Sequence, residues 1–272
     1  MARENKLAEG KTKIIWDDGD NLVLVESKDD ITAGDGTKRD IIHNKGILAT
    51  TTTSNCFALL NKRGVQTHFV KQVDERTFLA NRAQMIPLEL VVRRIATGSY
   101  LKRRPDVKEG TVLPYLIEFF DKDDANHDPL VIHDFASQRI LRYHPKQSLN
   151  GGLLDEKLMS DSEARKWHRV IPELRGYAYH TFMILEEVWA KLGVTLVDLK
   201  IECGWGWTRN LNLLVADVID NDSWRIWPGG NKAEMKDKEV YRGLRESTPE
   251  ALGEIKKNYA WVAEQTSKFL NL

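Results

Sequence analysis

Cysteine is scarce in this sequence, and neither sign of charge is in excess. The 272 residues include 2 cysteines, Cys56 and Cys203, which fit no disulfide framework and no zinc-binding spacing. We therefore expect two reduced thiols in a reducing compartment. The 40 Lys and Arg residues balance 40 Asp and Glu residues. This neutrality gives no support for binding nucleic acid or an anionic membrane through bulk charge.

Long hydrophobic runs are also missing. Apolar stretches such as residues 211–219 are interrupted by an acid, Asp217, and are too short to cross a bilayer. The N-terminal residues lack the apolar core of a signal peptide, so we expect a cytoplasmic protein with no membrane partner. Hydrophobic residues still make up 42% of the chain, which is enough for a folded core in one large domain or two small ones.

Hydrophobic periodicity predicts an α+β protein in two layers or two lobes. We expect residues 1–86 to form an N-terminal, mostly antiparallel β lobe and residues 87–272 to form a C-terminal α+β lobe. A strand over residues 88–95 is predicted just after the boundary. In the first lobe, the pattern predicts a helix over residues 54–62 and strands over residues 13–18, 21–27, 68–73 and 76–80.

The second lobe carries clearer helix signals. Ser160 and Glu163 make a capping box before a helical pattern that Pro172 is expected to kink or split. Thr248 is a suitable N-cap for a terminal helix. Residues 122–158 are polar and punctuated by proline and glycine, which predicts long loops with short elements. Between the helices, strands are predicted over residues 195–203 and 211–219.

The segment Leu-Val-Asp-Leu-Lys-Ile-Glu at residues 196–202 is the most informative one. Alternate side chains of a strand share a face, so Asp198, Lys200 and Glu202 should point the same way. Such a strand either borders an active site or is an ordinary amphipathic strand whose charged side chains form salt bridges in solvent. For this segment alone, the ordinary amphipathic strand is the commoner case. Asp217 interrupts the next apolar run and needs a partner. If the two strands form a hairpin, Glu202 and Asp217 can meet around Mg²⁺.

Three other segments are candidates for binding a phosphorylated molecule. Residues 9–13, Glu-Gly-Lys-Thr-Lys, offer backbone N–H groups and two ammonium groups, although the Walker A spacing is missing and a solvated basic turn is more common. Asp35 lies in a glycine-containing segment that is, by itself, typical of a surface turn. Residues 93–104 are the densest basic region. An arginine followed by Gly98 and Ser99 fits a phosphate or carboxylate better than nucleic acid.

Two of these regions resemble the signature motifs of the SAICAR synthetase family. Residues 85–93 read Met-Ile-Pro-Leu-Glu-Leu-Val-Val-Arg and are followed by Thr-Gly-Ser, and residues 196–204 resemble the second motif, with Cys203 where the family usually has Phe. The sequence is especially similar to the synthetase half of the bifunctional animal-type enzyme, whose other half is an aminoimidazole ribonucleotide (AIR) carboxylase. The resemblance spans nearly the whole chain, because further segments match in the same order at residues 9–13, 32–35, 122–129, 216–227 and 236–242.

The resemblance implies a two-lobed α+β fold whose nucleotide cleft is similar to that of ATP-grasp enzymes and kinases. It implies ligation of L-aspartate to aminocarboxyimidazole ribonucleotide (CAIR), with ATP converting the CAIR carboxylate to an acyl phosphate. The implied catalytic residues are Lys200 and Asp198. The residues implied to contact ATP are Gly10, Lys11, Lys13, Gln84, Met85, Glu202 and Asp217. The residues implied to bind substrate are Asp35, Arg93, Ser99, Lys122, Asp128, Arg225, Lys238 and Arg242.

The resemblance also implies a cofactor and partners. Glu202 and Asp217 would hold Mg²⁺, and ATP, CAIR and L-aspartate are the expected small-molecule partners. A homo-oligomer and an association with an AIR carboxylase both stay open.

Two rival functions remain at this point. A kinase-like phosphotransferase would release ADP with ribonucleotide alone, whereas a non-catalytic nucleotide-binding module would bind ATP without turnover. A binding-only module has no need of a metal site, so the module is disfavoured by the joint presence of Lys11, Lys13, Lys200, Glu202 and Asp217.

Overall fold

Strands outnumber helices in the computed structural model, which describes residues 5–207 and 212–272. The first elements are β1 (Lys6–Glu9), β2 (Lys13–Asp17), β3 (Leu22–Ser27), β4 (Asp30–Ala33), β5 (Lys38–Ile41), α1 (Lys45–Lys62), β6 (Phe69–Asp74), β7 (Thr77–Asn81) and β8 (Ala83–Ile95). They are followed by α2 (Ser99–Arg103), β9 (Val112–Asp121), β10 (Leu130–Asp134), β11 (Arg139–Tyr143), β12 (Leu153–Leu158), α3 (Asp161–Lys191), β13 (Val194–Gly206), β14 (Leu213–Ala216), β15 (Trp224–Pro228), α4 (Glu239–Arg242) and α5 (Pro249–Thr266).

Two antiparallel sheets organise these elements. The smaller sheet has the strand order β1-β2-β3-β7-β6, and the larger sheet has the order β12-β11-β10-β9-β8-β13-β14. On the free side of β13, β15 pairs with its first half and β14 with its second half. β4 and β5 form a separate hairpin. The α+β class is therefore confirmed, and β13 lies where four strands of the larger sheet meet.

Besides two smaller hydrophobic clusters, one large hydrophobic core runs beneath both sheets. It includes Val25 and Phe78 of the smaller sheet, Phe57 of α1, and Leu90 and Ile201 of the larger sheet. Helix α1 contacts β3, β6 and β7 on one side and α3 and α5 on the other. β8 passes without interruption through the boundary predicted near residue 86. The division into residues 1–86 and 87–272 stays a prediction, although each sheet is built almost wholly from one of the two ranges.

Helix predictions are confirmed where the caps are strong. The Ser160 hydroxyl accepts a hydrogen bond from the Glu163 N–H, and the Glu163 side chain binds back to Ser160, so α3 begins with a capping box. Thr248 caps α5 in the same way through the Ala251 N–H. A kink or a split was predicted at Pro172; the split is wrong, because α3 is continuous through Pro172, and the kink stays a prediction. Buried packing of this helix outweighs the missing backbone hydrogen bond.

Two other expectations need correction. Helix α1 begins at Lys45, not near residue 54, because the low helix propensity of Gly46 and of four consecutive threonines is overridden by burial. Residues 122–158 contain three strands, β10 to β12, that extend the larger sheet. Their polar sequence reflects exposure, since every residue of β12 is exposed at the sheet edge. In the described part of the chain, each helix is too polar or too short to span a bilayer.

Candidate active site

A pocket of about 1030 Å³ opens between the smaller sheet and strands β8 and β13. Its volume matches that of pockets that bind small-molecule ligands and cofactors. Part of the lining is apolar and consists of Leu7, Ile15, Val23, Val25, Ala83, Met85, Ile86 and Pro87. The charged part consists of Lys11, Lys13, Arg82, Glu89, Lys122, Asp124, Asp128, Lys200, Glu202 and Asp217. The pocket therefore combines an apolar surface with a dense arrangement of both charges.

The charged part is built on the pairing of β8 with β13. Glu202 lies opposite Glu89 in the register, and cross-strand partners point to the same face. Lys200 Nζ donates to Glu89 Oε1 over 3.0 Å and to Glu202 Oε1 over 3.2 Å. The intervening side chains of β13, Leu199 and Ile201, belong to the core. The alternation expected for this strand is therefore present, with the charged face turned to the pocket.

Glu89 is a residue that the sequence reasoning missed. The signal was available, because Glu89 and Arg93 alternate with the buried residues Leu90 and Val92 in the same way as the charged residues of β13 do. The alternation of charged and buried residues in β8 indicates a site only once β8 is known to pair with β13, and the sequence does not show that pairing.

Lys200 remains a cation in this setting. Burial by itself lowers the pKa of an ammonium group, but the carboxylates of Glu89, Glu202 and Asp217 outweigh burial and raise the pKa of Lys200. Lys200 is therefore suited to neutralising negative charge and unsuited to accepting a proton near neutral pH.

Asp217 reaches the same pocket from the end of β14. Glu202 pairs with Ala216, which places Asp217 one residue beyond the paired strands. The Asp217 carboxylate forms an ion pair with Lys13 Nζ. Burial would raise the pKa of Asp217, but the ammonium groups of Lys13 and Lys200 outweigh it and hold that pKa below its usual range. The structure thus brings Glu202 and Asp217 together as predicted, although residues 208–211 of the connection lie outside the described residues.

The other residues predicted to contact ATP surround this centre. Gly10 and Lys11 line the pocket, and the Gly10 N–H donates to the Lys13 carbonyl over 2.9 Å in a tight turn. Lys11 Nζ lies 3.4 Å from Asp124 Oδ2. Met85 also lines the pocket, whereas Gln84 is exposed and does not.

Two predicted substrate residues lie here as well. Lys122 Nζ donates to Glu202 Oε2 over 2.6 Å, so Glu202 accepts from two lysines. Asp128 lines the pocket and accepts the Asp123 N–H over 2.9 Å.

A second polar cluster lies further along the same two strands. Arg93 lies opposite Asp198, and its Nη1 donates to Asp198 Oδ2 over 3.1 Å. Arg225 Nη1 donates to the same oxygen over 2.5 Å. Arg93 Nη2 lies 3.4 Å from Ser99 Oγ. A side chain at Gly98 would come within 2.8 Å of Arg225 Nη2, which explains why a glycine precedes Ser99. Two predicted arginines therefore share the carboxylate of Asp198, also a predicted residue, and Arg93 links Ser99 to this cluster.

Glu118 anchors this cluster and was missed from sequence. Its carboxylate accepts from Arg93 Nε over 2.5 Å and from Arg103 Nη2 over 2.6 and 2.7 Å, and all three side chains are buried. A lone acid in the apolar run of β9 was the available signal, since a buried charge requires a partner.

The remaining predicted residues lie outside the lining of the pocket. Lys238 Nζ donates to Asp222 Oδ2 over 2.8 Å and is largely buried. The Arg242 guanidinium pairs with Glu239, which also accepts from Arg225 Nη2 over 3.1 Å. The backbone of Asp35 lies in a 3₁₀ turn, and its side chain lies outside the described part of the structure.

Comparison with known proteins gives one consistent result. Residues 6–258 match the family model described as SAICAR synthetase. The chain is 47% identical to the bifunctional purine synthesis protein purC/E of Dictyostelium discoideum, over 97% of this chain and 27% of that protein. It is 43% identical to the phosphoribosylaminoimidazole-succinocarboxamide synthase of Herpetosiphon aurantiacus, over 99% of this chain and 100% of that protein. A solved structure of SAICAR synthetase in complex with ADP matches with a TM-score of 0.72 and 30% identity, covering 93% of this chain and 97% of that one.

Proposed function

The chain belongs to the SAICAR synthetase family, and we propose that its pocket activates CAIR with ATP and joins the activated carboxyl group to L-aspartate. The chain is an ATP-dependent ligase of purine biosynthesis that forms SAICAR, ADP and phosphate. We also propose an acyl phosphate intermediate, a Mg²⁺ ion and roles for individual residues.

The large pocket is the proposed ATP site. Its apolar lining suits an adenine ring, with Met85 on β8 beside it, and Lys11 and Lys13 supply positive charge for phosphates. A related structure with ADP bound supports a nucleotide in this fold. The backbone around residues 84–86 is our proposed contact for the adenine edge.

Mg²⁺ fits the chemistry of this pocket. Glu202 and Asp217 offer carboxylate oxygens, which Mg²⁺ prefers, and one or two protein carboxylates suffice when phosphates complete the coordination. Within residues 5–207 and 212–272, no three Asp, Glu, His or Cys side chains are grouped to hold a metal by themselves, which suits an ion shared with a nucleotide. When bound, the ion would neutralise phosphate charge and orient the triphosphate.

The proposed reaction has two steps. A carboxylate oxygen of CAIR attacks the γ-phosphorus of ATP, the bond to the bridging oxygen breaks, and ADP leaves. The amine of L-aspartate then attacks the acyl carbon, the C–O bond to phosphate breaks, and an amide forms with loss of one proton. Lys200 remains charged, so we assign it to neutralising the transferred phosphoryl group and not to accepting that proton.

The second polar cluster is the proposed ribonucleotide site. Arg93 and Arg225 share Asp198, which holds both guanidinium groups in place, and Ser99 adds a hydroxyl group. Guanidinium groups bind phosphate through paired hydrogen bonds, and this fits the phosphate of CAIR. Lys238 and Arg242 are proposed to lie at its border, and Asp35, Lys122 and Asp128 on the side towards ATP.

One observation supports this proposal most: Asp198, Lys200 and Glu202 lie on the same face of β13. Asp198 belongs to the arginine cluster, Glu202 to the ATP pocket, and Lys200 stands between them. Asp198 and Glu202 are four residues apart, or about 13 Å along the strand, with Lys200 midway between them. A ribonucleotide whose phosphate is bound by the arginines at Asp198 would therefore extend its carboxyl group towards a phosphoryl group held near Glu202, with Lys200 beside the reacting atoms.

ADP release measured with and without each substrate tests the function. We expect repeated turnover only when Mg²⁺-ATP, CAIR and L-aspartate are all present. Isotopically labelled oxygen in the CAIR carboxylate should appear in the released phosphate, because one carboxylate oxygen leaves with it. Multiple turnovers without L-aspartate would instead support a phosphotransferase. ATP binding without turnover in the complete mixture would support a binding module.

Assembly is a separate proposal. The Dictyostelium relative is bifunctional, and this chain spans about a quarter of its length. We propose that a separate AIR carboxylase supplies CAIR to this chain. Light scattering of the purified chain, alone and mixed with a carboxylase, would measure both self-association and complex formation.

A further inference from the structure

The backbone at Asp217 has an unusual conformation. In β14, Leu213 and Val215 belong to the core, whereas Ala216 pairs with Glu202, whose side chain lies in the pocket. If the strand simply continued, Asp217 would follow Val215 to the core face, because side chains alternate. Instead Asp217 has a φ of +65°, in the left-handed region that non-glycine residues rarely adopt. This turn directs the carboxylate towards Lys13 and the pocket.

His68 binds this turn directly. Its Nε2 lies 3.1 Å from the Asp217 carbonyl oxygen, and a carbonyl can only accept, so Nε2 carries the hydrogen. The His68 backbone N–H donates to the Val215 carbonyl over 2.9 Å. His68 therefore binds the carbonyl groups of Val215 and Asp217, on either side of Ala216, the last residue of β14.

His68 is itself fixed from the smaller sheet. Its ring is buried edge-on against Phe57 and Phe78, with centroid distances of 5.4 and 5.6 Å. Its carbonyl accepts the Asn81 N–H over 2.7 Å. Both phenylalanines are fully buried. Their close packing restricts the His68 ring and so fixes the position of its Nε2–H.

We propose that His68 is a positioning residue for the nucleotide site, which stabilises the left-handed conformation of Asp217 and so keeps its carboxylate in the pocket. This inference rests on the proposed role of Asp217 in holding the metal–nucleotide complex. His68 lines the pocket as well, but its Nε2–H is bound to the Asp217 carbonyl, so it acts through Asp217 and takes no part in the chemistry. Such strain is maintained at functional sites only where the surroundings support it.

A matched pair of variants isolates the hydrogen bond. His68→Gln and His68→Met introduce side chains of nearly equal size, but only glutamine retains an N–H donor. Calorimetry should show Mg²⁺-ADP binding about fivefold weaker in His68→Met than in His68→Gln, as expected for one neutral hydrogen bond. Binding of ADP without Mg²⁺ and the KM for CAIR should differ by less than about twofold between them, because neither ligand brings the cation that the Asp217 carboxylate is proposed to bind. If His68→Met does not fold, His68→Phe, which retains a ring, replaces it in the comparison.

Equal Mg²⁺-ADP affinity in the two variants would overturn the inference and leave His68 a packing residue. Equal weakening with and without Mg²⁺ would overturn it as well. Asp217→Asn separates this inference from the function on which it rests. If Asp217→Asn weakens Mg²⁺-ADP binding while the His68 pair does not differ, only the role of His68 fails. If Asp217→Asn leaves Mg²⁺-ADP binding unchanged, the proposed metal role of Asp217 fails.

Discussion

Glu202 is an acid whose side chain is only 4% exposed and which accepts from Lys122 and Lys200. Glu202→Gln keeps the size of the side chain and removes its charge. We expect turnover at saturating Mg²⁺ to fall by at least about a hundredfold, because a preorganised charge at the reacting phosphate is lost. Steady-state assays across a Mg²⁺ titration would measure this effect.

Glu156→Gln is the matched control for that change. Glu156 lies on exposed β12 and pairs with Arg139. The turnover of the Glu156→Gln variant should therefore equal that of the wild type. Both variants should keep the wild-type circular dichroism spectrum. Unchanged turnover of Glu202→Gln at saturating Mg²⁺ would remove Glu202 from the proposed metal site.

Arg93 lies between two buried carboxylates, so its replacement must keep the positive charge. Arg93→Ala would leave Glu118 and Asp198 without this partner, at a cost of about 3–5 kcal/mol of folding free energy. Arg93→Lys keeps the charge but loses the planar fork that binds phosphate. We expect the KM for CAIR to rise at least about tenfold and the KM for ATP to change by less than about twofold. Initial-rate kinetics with each substrate varied in turn would measure both constants.

The neighbouring arginine provides the control for this experiment. Arg94 binds the Leu113 carbonyl and Glu186, away from the Asp198 cluster. Arg94→Lys should therefore leave both KM values unchanged. Equal increases in the two KM values for Arg93→Lys would place Arg93 outside the ribonucleotide site.

Among the elements, sequence reasoning succeeded where a signal is local. The capping box of α3, the N-cap of α5 and the alternation of β13 each depend on residues within a few positions of one another. Lys200 and Glu202 were identified from this alternation and Asp217 from its place in an apolar run, and all three line the pocket.

Long-range pairing explains most of what sequence did not reveal. Glu89 becomes significant only because β8 pairs with β13, and Glu118 only because β9 brings it to Arg93. The turn at Asp217 depends on His68, which is 149 residues away in the chain. The early start of α1 likewise depends on burial against elements that follow it. Such tertiary effects override local propensity and leave no mark in a short window of sequence.

His133 of β10, which packs against α3, should make the stability of the folded protein depend on pH. The His133 ring packs against Trp167 of α3 at 4.8 Å and against Phe135 at 6.3 Å. Burial, aided by the positive charge of Arg175, lowers the pKa of His133 to about 4. The unfolded chain therefore binds a proton between about pH 6.5 and pH 4 that the folded protein does not, and stability is lost as pH falls through that range.

His133→Phe should remove this part of the acid sensitivity. Between neutral pH and about pH 4.5 we expect the variant to lose about 1 kcal/mol less unfolding free energy than the wild type, because solvent partly screens this half-buried ring. Urea denaturation at several pH values would measure the difference. His43→Gln, at a side chain that is 84% exposed, should keep the wild-type dependence. Parallel curves for wild type and His133→Phe would show that His133 does not contribute to acid sensitivity.

On the scale of the whole molecule, the pocket joins parts of the chain that are far apart in sequence. The smaller sheet supplies Lys13 and part of the apolar surface, whereas the larger sheet supplies Glu89, Lys200, Glu202 and the rest of the apolar surface. The Lys13–Asp217 ion pair and the His68–Asp217 hydrogen bond cross between the two sheets. A nucleotide bound here would contact both sheets, and the core beneath them is continuous.

Unfolding should therefore be a single transition that shifts as a whole when nucleotide binds. At a concentration about a hundredfold above its Kd, Mg²⁺-ADP should stabilise the folded protein by about 2.7 kcal/mol, which corresponds to an increase in Tm of roughly 5–10 °C. Scanning calorimetry would measure this shift, and Glu202→Gln should show a smaller one, because its site for the ion is impaired. Two separate transitions, with only one of them shifted by Mg²⁺-ADP, would contradict the continuous core and would support independent lobes divided near residue 86.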